Sequence, residues 1–147
     1  MHPTRLFASL TLLLASNAAF AFDFRTIGTP VAILYDAPSP KGGKLFVAPR
    51  GMPVEVVTTY GDWAKVRDVS GDLAWLDART LSARRNVVVR VASARVRSGP
   101  DDDEPVVFTA DKGVLLELVD PRPAAWVRVR HRDGISGYAR AADVWGL

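Results

Sequence analysis

Two short stretches hold the side chains best suited to touching a ligand. In Trp63-Ala-Lys-Val-Arg67, strand alternation puts Trp63, Lys65 and Arg67 on one face and Ala64 and Val66 on the other. Trp126-Val-Arg-Val-Arg130 repeats the arrangement, with Trp126, Arg128 and Arg130 opposite Val127 and Val129. Ala and Val turn to the core, so each Trp shares the wetter face with two cations. An aromatic ring beside cations can stack on a sugar or a ring and pair with a carboxylate. The alternative is that each Trp closes the end of its sheet, packed against the arginine stems. Trp75, Tyr138, Tyr35 and Arg97 complete the set of tentative ligand-binding residues. Trp75, between Leu73 and Leu76, reads equally as core or surface. Tyr35 precedes the Pro-rich turn Ala37-Pro-Ser-Pro40.

Catalytic chemistry has little to work with. The chain has 147 residues and no cysteine, and its histidines are His2 and His131. This removes thiolate nucleophiles, disulfides and a histidine-based metal cluster. There is no Gly-x-Ser-x-Gly elbow and no Gly-rich phosphate loop ahead of a helix. Asp101-Asp-Asp-Glu104 is acidic, but its spacing does not match a calcium loop, and it is expected to be solvated. No metal, cofactor or enzymatic activity is expected. The net charge of +3, from 19 Lys and Arg against 16 Asp and Glu, is too mild for a nucleic-acid partner.

The elements that would hold these residues are short strands. Val54 to Thr59, Trp63 to Asp68 and Leu73 to Leu76 have partners at Val114 to Val119, Trp126 to His131 and Gly137 to Arg140. Between them lie turn signals such as Tyr60-Gly61-Asp62, Ser70-Gly71-Asp72 and Asp133-Gly134. No helical period with caps at both ends occurs. The two sets form an internal repeat. Pro38 and Pro100 lie 62 apart, as do Gly51 and Gly113; Trp63 and Trp126, Val66 and Val129, Gly71 and Gly134, Trp75 and Tyr138, and Leu81 and Val144 lie 63 apart. A single open sheet of this size would expose its edges and half its apolar face, so closure into a small barrel is expected.

The second copy reads Ala94-Arg-Val-Arg-Ser-Gly-Pro100, Lys112-Gly113, Trp126-Val-Arg-Val-Arg130 and Asp133-Gly134-Ile-Ser-Gly137-Tyr138. This order resembles the bacterial SH3 domain. The first copy matches in Gly51, Gly61-Asp-Trp-Ala-Lys-Val66, Gly71 and Trp75, whereas its opening, Ala32-Ile-Leu-Tyr-Asp-Ala-Pro38, is similar to that of eukaryotic SH3 domains. The resemblance covers residues 29 to 147. It implies an all-β chain of two tandem, five-stranded SH3-like barrels, of a kind that often binds cell wall or peptide, and it would make Tyr35 part of a groove for Pro-rich peptide. Arg97 stands near the equivalent place in the second copy, so the two grooves should differ.

The expected organisation is a cleavable signal peptide at 1–21, an N-terminal extension at 22–28, barrel one at 29–82, a linker at 83–86 and barrel two at 87–147. The signal rests on basic Arg5, the apolar run Leu6 to Ala15 and the small-x-small pattern Ala19-Phe20-Ala21. That run is shorter than the roughly 20 residues that span a bilayer, so stable membrane insertion is not expected. Barrel one is neutral; residues 83–147 carry eleven cations against nine carboxylates. Arg95, Arg97, Arg128, Arg130 and Arg132 fall on its strands, where they either face an anionic partner or form a solvated face. The expectation is an exported, periplasmic or secreted binding module for peptidoglycan peptide or glycan. The alternative is an envelope adaptor that binds an extended or Pro-rich segment of another exported protein.

Overall fold

The computed structural model describes residues 22–147. The expected signal peptide lies outside the described residues. Fourteen strands follow one another: β1 (Asp23–Ile27), β2 (Val31–Tyr35), β3 (Lys44–Pro49), β4 (Pro53–Tyr60), β5 (Trp63–Arg67), β6 (Leu73–Asp77), β7 (Leu81–Ser82), β8 (Asn86–Val89), β9 (Ser93–Arg97), β10 (Val106–Asp111), β11 (Leu115–Leu118), β12 (Trp126–Arg130), β13 (Ser136–Arg140) and β14 (Val144–Trp145). The only helical pieces among the described residues are two three-residue 3-10 turns, at 78–80 and 141–143, so no helix is long and apolar enough to cross a membrane.

The strands form two antiparallel sheets of seven with the same order, β3-β2-β6-β5-β4-β1-β7 and β10-β9-β13-β12-β11-β8-β14. Each curls around its own core. Ala48 on the terminal strand β3 and Ile27 on β1, near the far end of the order, belong to one buried cluster with Leu34, Val54, Val66 and Leu76. Ala110, Val89, Val96, Leu116, Val129 and Val144 make the second. Each fully buried Val, Leu or Ile side chain contributes about 1.5–3 kcal/mol. The two barrels expected from the repeat are therefore present, with seven strands each rather than five.

The extra strands lie next to the spans that the repeat marks. Residues 23–27, read as an extension, form β1 and pair with both β4 and β7. Asn86, assigned to the linker, opens β8 and pairs with Glu117. The repeat was blind here because the matched residues share type and not identity: by register Thr26 corresponds to Val88 and Ile27 to Val89. In the turns between β3 and β4 and between β10 and β11, Gly51 and Gly113 adopt φ +90° and +89°, a left-handed conformation that side chains disfavour.

The barrels are docked through named contacts. The Asn86 amide nitrogen Nδ2 donates to the Gly51 carbonyl at 2.9 Å, and its backbone N–H donates to Thr26 Oγ1 at 3.2 Å. Phe24 meets Trp145 edge-on, with ring centroids 5.1 Å apart. Arg85 lies over Phe24 and donates to the Gly146 carbonyl at 2.8 Å, and burial pushes its guanidinium pKa down.

Candidate functional site

Alternation along β5 and β12 places the expected residues as the sequence reading requires. Ala64 and Val66, like Val127 and Val129, are buried, while Trp63, Lys65, Arg67, Trp126, Arg128 and Arg130 all point outward. Register brings the other expected residues onto the same outer face. In barrel one, Tyr35 stands opposite Trp75, and Trp75 opposite Lys65, forming a row across β2, β6 and β5. In barrel two, Arg97, Tyr138 and Arg128 form the equivalent row across β9, β13 and β12. Trp75 and Tyr138 are half-buried members of this face, flanked on their strands by the inward Ala74 and Leu76, and by Gly137 and Ala139.

The cations on this outer face divide into free and paired ones. Arg67 donates to Glu55 at 3.1 Å and Arg130 to Glu117 at 3.2 Å, two equivalent ion pairs that tie β5 to β4 and β12 to β11. These two arginines each already have a carboxylate partner, in surface pairs that add little to stability. Lys65 lies 5.9 Å from the Trp75 ring centre, a cation–π arrangement. Arg128 has no carboxylate within ion-pair distance among the described residues.

Beside each row lies a groove. In barrel one it has a volume of about 480 Å3 and is walled by Val31, Ile33, Tyr35, Pro40, Trp63 and Asp77. Tyr35 and Trp63 meet edge to face at 5.5 Å. The Arg79 side chain, through hydrogen bonds to Asp77, holds that carboxyl below its usual range. In barrel two the groove is about 350 Å3 and is lined by Ser93, Arg95, Arg97, Asp102, Arg140 and Asp143. Repeat spacing makes Val31 and Ser93, Ile33 and Arg95, Tyr35 and Arg97, and Asp77 and Arg140 equivalent, so one groove is built twice with different walls. Arg140, where barrel one has Asp77, lies over Trp126 at 5.0 Å, so that ring packs against an arginine.

The acidic loop 101–104, expected to be merely solvated, is exposed but engaged. Asp102 pairs with Arg140, Ser98 Oγ donates to Glu104 Oε2 at 3.1 Å, and Arg97 Nη1 donates to the Glu104 carbonyl at 2.9 Å. His131, which the sequence reading places at the end of the strand from Trp126, is half-buried and lies just beyond β12. Its ring sits 5.9 Å from Phe108, and its Nδ1 is 3.1 Å from the Asp133 carboxylate.

Several groove residues were not singled out from the sequence: Val31, Ile33, Asp77 and Arg140. A signal for the first two existed. Stepping back by two from Tyr35 gives Ile33 and Val31, just as Arg95 stands two before Arg97, and the outward-inward alternation of β2 and β9 puts them on one side. Asp77 and Arg140 close the groove from β6 and β13, and only the sheet order brings them there. Among the described residues no group of three or more His, Asp or Glu side chains is arranged to hold a metal ion.

Comparison with known proteins gives the family. The bacterial SH3 domain matches the chain twice, over residues 29–83 and 86–146. The chain belongs to the bacterial SH3 domain family. No curated protein matches it. Among solved structures, NlpC2 and NlpC1 from Trichomonas vaginalis are similar at 15% and 16% identity, each with a TM-score of 0.39, over 85% and 92% of this chain. An NlpC/P60 family protein from Bacillus cereus ATCC 10987 is similar at 17% identity and a TM-score of 0.38, over 84% of this chain. The matched parts make up 48%, 50% and 56% of those proteins, so this pair of bacterial SH3 domains spans about half their length.

Proposed function

We propose that this chain is a non-catalytic, exported binding module that recognises cell-wall material, peptidoglycan peptide or glycan, through its two bacterial SH3 domains. The observation that carries the reading is the groove built twice at equivalent positions, each bordering a row of aromatic and cationic side chains. In barrel one, Tyr35, Trp63 and Trp75 offer flat apolar faces for a sugar ring or peptide backbone, with Lys65 alongside. In barrel two, Arg95, Arg97 and Arg140 offer planar forks that match carboxylates, with Tyr138, Trp126 and Arg128 next to them. Arg67 and Arg130 lie on the same outer face, each paired with a glutamate. The chain has no cysteine, and His131 lines neither groove, which supports a binding role over a hydrolytic one.

Cosedimentation of the purified protein with sacculi across a salt series tests this. Wild type pellets with sacculi, and Tyr35→Ala combined with Arg97→Ala weakens binding by about tenfold or more, as loss of central aromatic and arginine contacts does. Unchanged binding by the double variant removes the grooves from the site; no binding at any salt removes the cell-wall reading.

A second reading is favoured by one feature of barrel one. Its groove is the more apolar, with Pro40 and the Tyr35–Trp63 pair, and it adjoins the sheet edge β3, whose Leu45 and Val47 are exposed. Such a groove and edge suit an extended or Pro-rich segment of an envelope protein. Titration with a proline decamer distinguishes the readings: a Trp63 fluorescence response that Tyr35→Ala abolishes supports the adaptor, and no response counts against it.

A further inference from the structure

A third cleft is larger than either groove. It lies where the two barrels dock, has a volume of about 550 Å3, and draws residues from barrel one, the connecting segment and barrel two. Its charge is one-sided. Arg50 comes from the turn after β3, Arg84 from the segment between β7 and β8, and Arg130, His131 and Arg132 from the end of β12; Glu117 is the one carboxylate on its wall. Glu117 is already bound to Arg130. Among the described residues, Arg50, Arg84 and Arg132 have no carboxylate within ion-pair distance.

Like charges collected on a concave surface repel one another and raise the local concentration of counter-ions. The cleft exists only because the barrels are fixed together, and the Asn86–Gly51 hydrogen bond that fixes them lies on its wall. Three uncompensated arginines from three separate segments thus border one volume, brought together by the docking of the barrels. Guanidinium forks match both carboxylate and phosphate. Three unpaired cations call for a ligand with several negative charges in a small space, which phosphate supplies most densely. Val114 and Leu115 give the cleft a small apolar wall for the uncharged part of the ligand.

We propose that the inter-barrel cleft is an anion site for a ligand bearing pyrophosphate or clustered phosphate groups, held by Arg50, Arg84 and Arg132. It is separate from the barrel grooves and does not depend on what those grooves bind. The phosphate can be free in solution or carried on a lipid.

Calorimetric titration of the purified protein with pyrophosphate at low salt is the test, with citrate as the carboxylate control. The expected result is saturable binding that weakens as salt rises, is stronger for pyrophosphate than for citrate, and falls about tenfold in each of Arg50→Gln and Arg132→Gln. Arg122→Gln, a surface change outside the cleft, leaves it unaltered, and matched melting temperatures confirm that all variants fold. A parallel flotation assay uses phosphatidylcholine vesicles with and without phosphatidic acid. Pyrophosphate binding without flotation assigns a soluble ligand; flotation that needs phosphatidic acid and is lost in both cleft variants assigns a lipid phosphate. Either result upholds the site. The proposal is overturned if neither probe binds, if citrate binds as tightly as pyrophosphate, or if the two cleft variants bind like wild type.

Discussion

The two grooves differ far more than the two cores beneath them. Facing inward, Ala32 and Leu34 of β2 correspond to Ala94 and Val96 of β9, and Val66 corresponds to Val129; all are buried, and all stay small and aliphatic. Facing outward from the same strands, Val31, Ile33 and Tyr35 become Ser93, Arg95 and Arg97, and across the groove Asp77 becomes Arg140. The close-packed side cannot change volume without cost, whereas the wet side can change chemistry freely. One scaffold therefore carries an aromatic groove and an arginine groove in tandem. A fold repeated in one chain need not repeat its binding specificity.

The largest effect expected from testing this contrast lies underneath the grooves, where the scaffolds themselves part. At the strand that closes each groove, barrel one has Ala74, buried, and barrel two has Gly137. A Cβ on Gly137 would lie 2.6 Å from the Arg97 carbonyl oxygen and 2.7 Å from Val96 Cγ1. β13 thus approaches β9 more closely than a methyl group allows, and this approach sets the position of Arg97. Gly137→Ala is expected to cost about 2–3 kcal/mol through forced separation of the strands. Ala74→Gly should cost about 1 kcal/mol, from backbone entropy and a lost methyl contact. Urea denaturation of both variants measures this; a Gly137→Ala variant as stable as wild type would mean that the two strand pairs are spaced alike and the groove difference is confined to side chains.

The same asymmetry explains what could be read from the sequence. The barrels, the strands around both Trp motifs and the outward direction of Trp63, Lys65, Trp126 and Arg128 follow from a two-residue period and turn residues, which are local signals. The row Tyr35–Trp75–Lys65 needed the strand order as well, yet its members were visible because each is aromatic or charged at a repeated position. β1 escaped notice because Thr26 and Ile27 match Val88 and Val89 only in being β-branched. Arg140 facing Arg97, Asp102 folding back onto Arg140, and the cleft shared by Arg50 and Arg132 arise from contacts between segments far apart in the chain. No period or motif encodes them.

Exchanging the residue that most separates the grooves gives an effect of intermediate size. In Arg97→Tyr, barrel two loses the guanidinium that also ties down the acidic loop through the Glu104 carbonyl. If the arginine groove meets anionic groups of the wall, affinity for sacculi at low salt should drop about tenfold and the remaining binding should respond less to salt. Tyr35→Arg in barrel one should do the reverse to salt response, adding a screened attraction while removing the edge-to-face partner of Trp63. Cosedimentation over the same salt series measures both. Identical salt profiles for the two variants would show that the grooves do not divide the work by chemistry.

The smallest effect concerns the ion pairs beside each barrel's sheet. Asp77 accepts from Arg79 at the start of the 3-10 turn of barrel one, and Asp120 accepts from Arg122 in the loop between β11 and β12 of barrel two. These pairs are not at repeat-equivalent positions. In both, the arginine side chain holds the carboxyl below the ordinary value of 3.8, and Asp120 falls to about 2. A carboxyl with a lowered folded-state pKa adds stability above its unfolded value and loses it as pH falls through the folded one. The contribution of Asp120 should therefore be complete above about pH 4 and fade between 3.8 and 2. Because the Asp120 pair is exposed, solvent screens it and the effect is small. Melting curves of wild type and Asp120→Asn should be separated slightly at neutral pH and converge as pH falls to 2, and Asp77→Asn should converge in the same direction. A gap that persists unchanged at pH 2 would mean that each aspartate acts through the shape of its turn, since Asn would then differ from the protonated acid as much as from the carboxylate.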